Sequence, residues 1–281
     1  MALSNKVDFA VVFRVTNANP NGDPLNGNRP RTNYDGLGEV SDVCIKRKIR
    51  DRLMEMGKPI FVQSDENRAD RFVNLRSRAE PVLSTEKTAD AKKAKACETW
   101  FDVRAFGQVF PFKASRGREK SQDESGEDKS VSIGIRGPVS IHPAFSLNTI
   151  DITPTQITKS TSLEGDGTTR TSDQMGMKHR VDRGTYVFYG SMNPQLAHRT
   201  GFSDEDALAI KGVLPRLFEN DASSARPEGS MQVLKMVWWQ HNSPNGQTSS
   251  ARVHRSLHVS EEGEVTFDDI GGPKPEIIDG Y

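Results

Sequence analysis

Residues 7–15, Val7-Asp8-Phe9-Ala10-Val11-Val12-Phe13-Arg14-Val15, alternate without a break. Val7, Phe9, Val11, Phe13 and Val15 share one face, and Asp8, Ala10, Val12 and Arg14 the other. A period of two is the signature of a β-strand with one buried face. Working outward, Thr16 to Asn33 is crowded with Asn, Pro and Gly, the residues that make turns and break ladders, so it predicts a long loop. A loop of more than about 15 residues in a compact domain is functional or disordered. Ser41 then offers an N-cap, and Ile45, Ile49, Leu53 and Met56 recur at helical spacing while Lys46, Arg47, Lys48, Arg50 and Arg52 fill the other faces. This is a basic amphipathic helix.

Farther along, the pattern predicts a short strand at 59–62, a polar stretch dotted with arginines, and a lysine-rich helix over 88–106. Lys113 to Lys129 has no periodicity and reads as a surface loop. Strands are expected over 131–141 and 145–152, broken at Gly137-Pro138 and His142-Pro143, then a polar excursion over 153–183 leading to a strand over 185–192. Ser203 and Asp206 open a helix carrying Ile210, Leu214, Leu217 and Phe218. Met231 to Gln240 reads as a central strand, and Val253 to Val259 and Val265 to Phe267 as weaker ones.

Without the insertions, the order is strand, helix, strand, strand, helix, strand. That is the split βαβ pattern of ferredoxin-like and RRM folds, an α+β class in which helices cover one sheet face and leave the other for a ligand. No linker divides the chain, so one domain over 1–281 is expected, with a long loop at 16–40, a helical insertion at 59–130 and a hairpin at 153–183.

The composition limits the function. Lys+Arg and Asp+Glu both total 38 in 281 residues, which at face value excludes a strongly basic nucleic-acid binder. The zero is a cancellation. Residues 1–118 hold 22 basic against 15 acidic residues, or +7, and 119–281 hold 16 against 23, or −7. Such asymmetry suggests a nucleic-acid groove on one side and a charge-complementary surface on another. With no apolar run of about 18 residues and no hydrophobic signal region, neither a membrane span nor secretion is expected, and the protein is read as cytoplasmic. Cys44 and Cys97 lack any paired spacing and read as free thiols.

Chemistry-bearing motifs are sparse. His254 and His258 are four apart but lie in an expected strand, where they are too distant for a metal pair, and His142, His198 and His241 have no partner pattern. Trp238 and Trp239 face opposite sides of one strand, so at least one is core and the other could stack on a base. Phosphate-binding, dinucleotide and nucleophile-elbow motifs are missing. No cofactor and no metal are expected.

The first strand, the loop Asn19-Pro20-Asn21-Gly22-Asp23-Pro24-Leu25-Asn26-Gly27-Asn28-Arg29-Pro30-Arg31 and the helix opening Ser41-Asp42-Val43-Cys44-Ile45-Lys46-Arg47-Lys48-Ile49-Arg50 together resemble a known family. It is the RAMP-type backbone subunit of type I CRISPR surveillance complexes (Cascade), subtype I-C in particular. The resemblance implies an RRM-like palm, helical fingers, and a β-hairpin thumb over 153–183 that kinks the guide RNA of a neighbouring copy. It also implies partners: the CRISPR guide RNA, target DNA through that guide, copies of the chain head to tail, and the handle-binding and large subunits. Carried over by position, Ser41, Lys46, Arg47 and Arg50 match the helix gripping the guide backbone, with Asn19, Asn21, Arg29 and Arg31 adding contacts. Arg226 lies in a loop resembling the family's glycine-containing loop, and Met175, Met177, Lys178, His179 and Arg180 stand at the tip or base of the thumb.

A backbone subunit of this kind is not an enzyme. One rival is a metal-dependent ribonuclease, because related type III subunits cut RNA with a loop aspartate and Asp23 and Asp35 occupy the comparable region. The other is a stand-alone RRM-like RNA-binding protein, although the aromatic RNP signature is not found.

Overall fold

The computed structural model describes residues 1–112, 131–158 and 175–281. The expected surface loop at 113–129 and the middle of the 153–183 excursion lie outside them. In chain order the elements begin with β1 (Val7–Ala18), β2 (Gly22–Asp23), β3 (Arg29–Pro30), β4 (Leu37–Val40) and α1 (Asp42–Glu55). Then come α2 (Leu75–Leu83), α3 (Ala89–Thr99), α4 (Phe101–Phe106), β5 (Gly107–Phe112), β6 (Val131–Arg136), β7 (Val139–Ile141), β8 (Ala144–Thr149) and β9 (Ile152–Thr158). The rest is β10 (Met175–Met192), α5 (Pro194–Thr200), α6 (Asp204–Val213), β11 (Met231–Gln240), α7 (Ser250–Arg255), β12 (Leu257–Val259), β13 (Val265–Phe267) and β14 (Pro275–Asp279).

The alternating stretch 7–15 lies inside β1, at the centre of a mixed α and β architecture. Its sheet has the path β14-β11-β1-β10-β8-β4, with β7 and β9 on other stretches of β10. Every pairing in it is antiparallel. The face with Phe9, Val11 and Phe13 packs on Ile45, Ile49 and Leu53 of α1 and on Ile210 and Val213 of α6. Phe13 stacks on Tyr186 at 5.3 Å, and Phe9 on Trp238 at 5.9 Å. Gly190 makes room for that packing, because a Cβ there would run into the Phe9 ring.

The expectation of a free second face is wrong. Ala10, Val237 and Trp239 are buried there beneath Val253 and Leu257, with Phe267 and Ile270 against them. The C-terminal segment α7-β12-β13 therefore roofs the sheet. Trp238 and Trp239 do face opposite sides, and both are buried. Neither is open to a base.

Other boundaries also move. β1 runs to Ala18, and β2 and β3 form a small hairpin inside the expected loop 16–33. No strand forms at 59–62. The 88–106 helix is two, broken at Trp100, whose extended backbone (φ −115°, ψ 124°) lets its indole pack on Phe61 and Phe110. These rings, with Ala79, Leu83, Cys97 and Ile133, form a second small core beside the sheet. The 203–218 helix ends at Val213 in a 3-10 turn, Leu214–Arg216, since Pro215 lacks the N–H to continue it. Residues 253–259 divide between α7 and β12, so His254 is helical and His258 is not. Among the described residues, no helix is long and apolar enough to cross a membrane.

Candidate nucleic-acid interface

The basic block on α1 is not a bare positive face. Lys46 Nζ lies 2.9 Å from Asp42, Arg47 3.7 Å from Asp51 and 3.6 Å from Asp221, Arg50 Nε 2.9 Å from Asp102, and Arg52 2.7 Å from Glu55. Lys48 pairs with Asp221. Five cations thus meet five carboxylates. Lys48 is only 1 % exposed, and burial pushes its ammonium below the usual lysine range despite Asp221. Arg50 is held by Asp102, itself buried and accepting from the Phe61 and Val62 backbone N–H groups at 2.7 and 3.0 Å. That group ties α1 to the second core. Lys46 and Arg47 are the two that keep substantial access to solvent.

Around these two, separate parts of the chain come together. Asn19 is buried, with its Nδ2 donating to Asn28 O at 2.7 Å and its backbone N–H to Ala225 O at 2.9 Å. Asn21 Oδ1 accepts from both the Ser41 N–H and the Ser41 hydroxyl, at 2.9 and 2.8 Å, while Ser41 Oγ caps α1 by accepting from Cys44 N–H. Gly22 permits the tight return of this hairpin, since a Cβ there would overlap the Asn28 side chain. Asn19, Asn21 and Ser41 thus shape the loop and the helix start. Arg29 on β3 is exposed, and Arg31 lies 3.6 Å from Asp23.

The 221–230 loop joins this group to the hairpin arm. Arg226 Nε donates to Asp221 at 3.0 Å, and Lys178 Nζ donates to Ser224 O at 3.0 Å. Arg47 and Arg226 thus meet at Asp221, and Lys178 reaches the same loop at Ser224, while Arg31 pairs with Asp23 on the hairpin and Lys46 with Asp42 at the start of α1. Met175 to Arg180 lie in the paired stem of the hairpin, opposite β9 from Thr158 to Thr153. Met175 and Met177 share one face and are both exposed, while Lys178 and Arg180 share the other. His179 lies on the methionine side, and Arg180 pairs with Asp182 at 3.4 Å.

Sequence reasoning missed one cluster. Asp8 Oδ2 accepts from His241 Nε2 at 2.9 Å, and Asp8 Oδ1 is 3.4 Å from His254 Nε2. His241 Nδ1 accepts from Gln247 N–H at 2.9 Å, so Nε2 carries the proton. Tyr189 stacks on His254 at 4.9 Å and His142 meets it edge-on at 5.7 Å. Burial pushes the Asp8 carboxyl up, but the hydrogen bond from His241, the nearby polar groups of His254 and Ser250 and the charge of Lys6 overcome it and hold it well below the usual carboxylate range. Burial, helped by His254, pushes His142 down. This cluster clamps the C-terminal roof to the sheet. The signal for it was Asp8 itself, an acid in the middle of a buried strand.

The rival's aspartates have local duties. Asp23 caps the Pro24–Asn26 turn by accepting from Leu25 N–H at 3.2 Å, and Asp35 lies in an Asn33-centred turn. Among the described residues, no three His, Cys, Asp or Glu side chains are grouped to hold a metal ion. Burial pushes the Cys97 thiol up to about 11, which keeps it protonated and unreactive.

Comparison with known proteins adds a family. The model of the CRISPR-associated protein Cas7 family matches residues 5–272. A Haloferax volcanii protein named CRISPR-associated protein Cas7 is 28 % identical over 235 residues, which is 80 % of this chain and 67 % of that one. Among solved structures, a chain of a "CRISPR RNA-guided surveillance complex, pre-nicking" has TM-score 0.47 and 14 % identity, covering 83 % of this chain and 77 % of its own. A chain of a second CRISPR RNA-guided surveillance complex has TM-score 0.42 and 16 % identity, covering 83 % and 68 %.

Proposed function

The chain belongs to the Cas7 family of CRISPR-associated proteins, and from that premise we propose that it is the backbone subunit of a type I-C surveillance complex. It polymerises head to tail along the guide RNA, holds the spacer by its backbone and leaves the base edges to pair with target DNA. The single observation that carries this reading is the meeting of Arg47, Arg226 and Lys178 on the 221–230 loop; Arg29, Arg31 and Lys46, on the hairpin and the helix start tied to that loop through Asn19, Asn21 and Ser41, would add further contacts. Cations that meet phosphate and sugar give affinity without sequence preference, as a subunit serving any spacer requires.

The sheet order supports an RRM-like palm. Within the path, β11-β1-β10 followed by β7 and β8 is the fourth-first-third-second arrangement of the split βαβ pattern. The second core over the 59–130 insertion is the finger-like part, and the β9–β10 stem is the base of the thumb. Its adjacent Met175 and Met177 suit a wedge against unstacked bases, with Lys178 and Arg180 supplying charge on the opposite face. The handle-binding and large subunits of the complex would be its further partners. No catalytic step is assigned to the chain.

The test is fluorescence anisotropy with labelled 30-nucleotide RNAs of unrelated sequence. Affinities should agree within about threefold, and the log–log salt slope should be near −4 per subunit, about −0.7 for each of six phosphate contacts. A preference of a hundredfold for one sequence, or a slope near zero, would overturn the proposal.

A further inference from the structure

We infer that Asp221 is a positioning residue of this surface: its carboxylate fixes the guanidinium groups of Arg47 and Arg226 where phosphates pass. The inference rests on the RNA-binding reading above. Asp221 sits at the start of the loop that meets Asn19, just past β1, through Ala225 and the hairpin stem through Ser224. It receives three cations, Lys48, Arg226 at 3.0 Å and Arg47 at 3.6 Å. Lys48 lies over the Phe218 ring at 5.6 Å and is closed to solvent, so it reaches no ligand. Its charge instead offsets that of Asp221 and leaves the two arginines as the net charge of the group.

Arg226 engages Asp221 through Nε, which leaves its outer nitrogens free to fork onto a phosphate. Arg47 is shared between Asp221 and Asp51, which brackets its guanidinium from two sides. A free arginine loses rotamer entropy when it binds, and one already held loses less, which is the general basis of preorganisation.

The inference has a sign that simple charge counting does not share. Removing an acid beside two arginines should strengthen RNA binding if only net charge mattered, and should weaken it if the acid positions them. The double variant Asp221→Asn with Lys48→Met leaves the net charge unchanged and removes both members of the buried pair. Binding of a fluorescein-labelled 30-nucleotide RNA of arbitrary sequence is expected to weaken by about five- to tenfold. The salt slope should fall in magnitude by roughly 1.4, two contacts at about 0.7 each.

Arg226→Lys provides a second reading that leaves the buried pair intact. It keeps the charge but loses the fork, and is expected to bind about three- to fivefold more weakly. If the folded double variant, or Arg226→Lys, binds as tightly as the wild type or tighter, Asp221 does not position the arginines. If the wild type itself binds no RNA, the proposed function fails instead, and the two failures are distinguished in one titration series.

Discussion

Arg50→Met separates the cations of α1 that build the fold from those that face a ligand. Arg50 is 12 % exposed and Asp102 1 %. The methionine keeps much of the stem that lies along Phe106, where the guanidinium is 5.2 Å from the ring centre, so the loss is mainly electrostatic. Asp102 would be left buried, with only the Phe61 and Val62 N–H groups as partners. Breaking a buried pair from one side costs about 3–5 kcal/mol. The two remaining bonds place this case near the lower end, about 3 kcal/mol. At roughly 2–4 °C per kcal/mol for a chain of this size class, Tm should fall by about 6–12 °C. Lys46→Met is the contrast: its pair with Asp42 is partly solvated, and its loss should cost under about 0.5 kcal/mol while weakening RNA binding. Urea denaturation followed by circular dichroism gives the first quantity, and anisotropy on the folded proteins the second. Arg50→Met within 1 kcal/mol of wild type, or a larger loss of RNA affinity than Lys46→Met, would show that Arg50 is not the structural cation of α1.

The Asp8 clamp predicts a pH dependence: with its folded pKa held below the unfolded value of about 4, its stabilisation is complete above that value and is lost as pH falls through and below it. Asp8→Asn should therefore be less stable at pH 7 and show a shallower loss of Tm below about pH 5; parallel acid limbs would contradict this. Gly190→Ala should cost about 2 kcal/mol, because the added methyl meets the Phe9 ring in a filled core; a neutral result in urea titration would show that the ring can move. Met175→Ser with Met177→Ser should leave Tm within about 1 °C, since both side chains are exposed, yet weaken RNA binding or alter its footprint in chemical probing. An unchanged footprint would remove the wedge.

Local pattern carried the centre of the fold into view, and distance in sequence hid the rest. The alternation at 7–15, the apolar stripe of α1 and the Ser203–Asp206 capping box are written within a few residues, and each is found in place except that Met56, the last of the stripe, caps α1 and is exposed. The roof over the second face is not, because Ala10 meets Val237, Val253 and Leu257 from more than 200 residues away. Trp100 sits in a continuous helical pattern, but the second core draws its ring out and breaks the helix. The candidate site followed the same rule. The block Lys46 to Arg52 reads as bare charge, since two of its five partners, Asp102 and Asp221, come from remote segments. His142, His241 and His254 have no sequence partner for the same reason: their meeting point is Asp8, on the first strand.

The central claim, a backbone subunit that lines up on RNA, is tested most directly by the native mass of the purified protein with its co-purified nucleic acid. RNase-sensitive assemblies are expected in which one RNA carries several copies, spaced by 31.2 kDa each. A monomer without RNA, unchanged when a 30-nucleotide RNA is added, would contradict it.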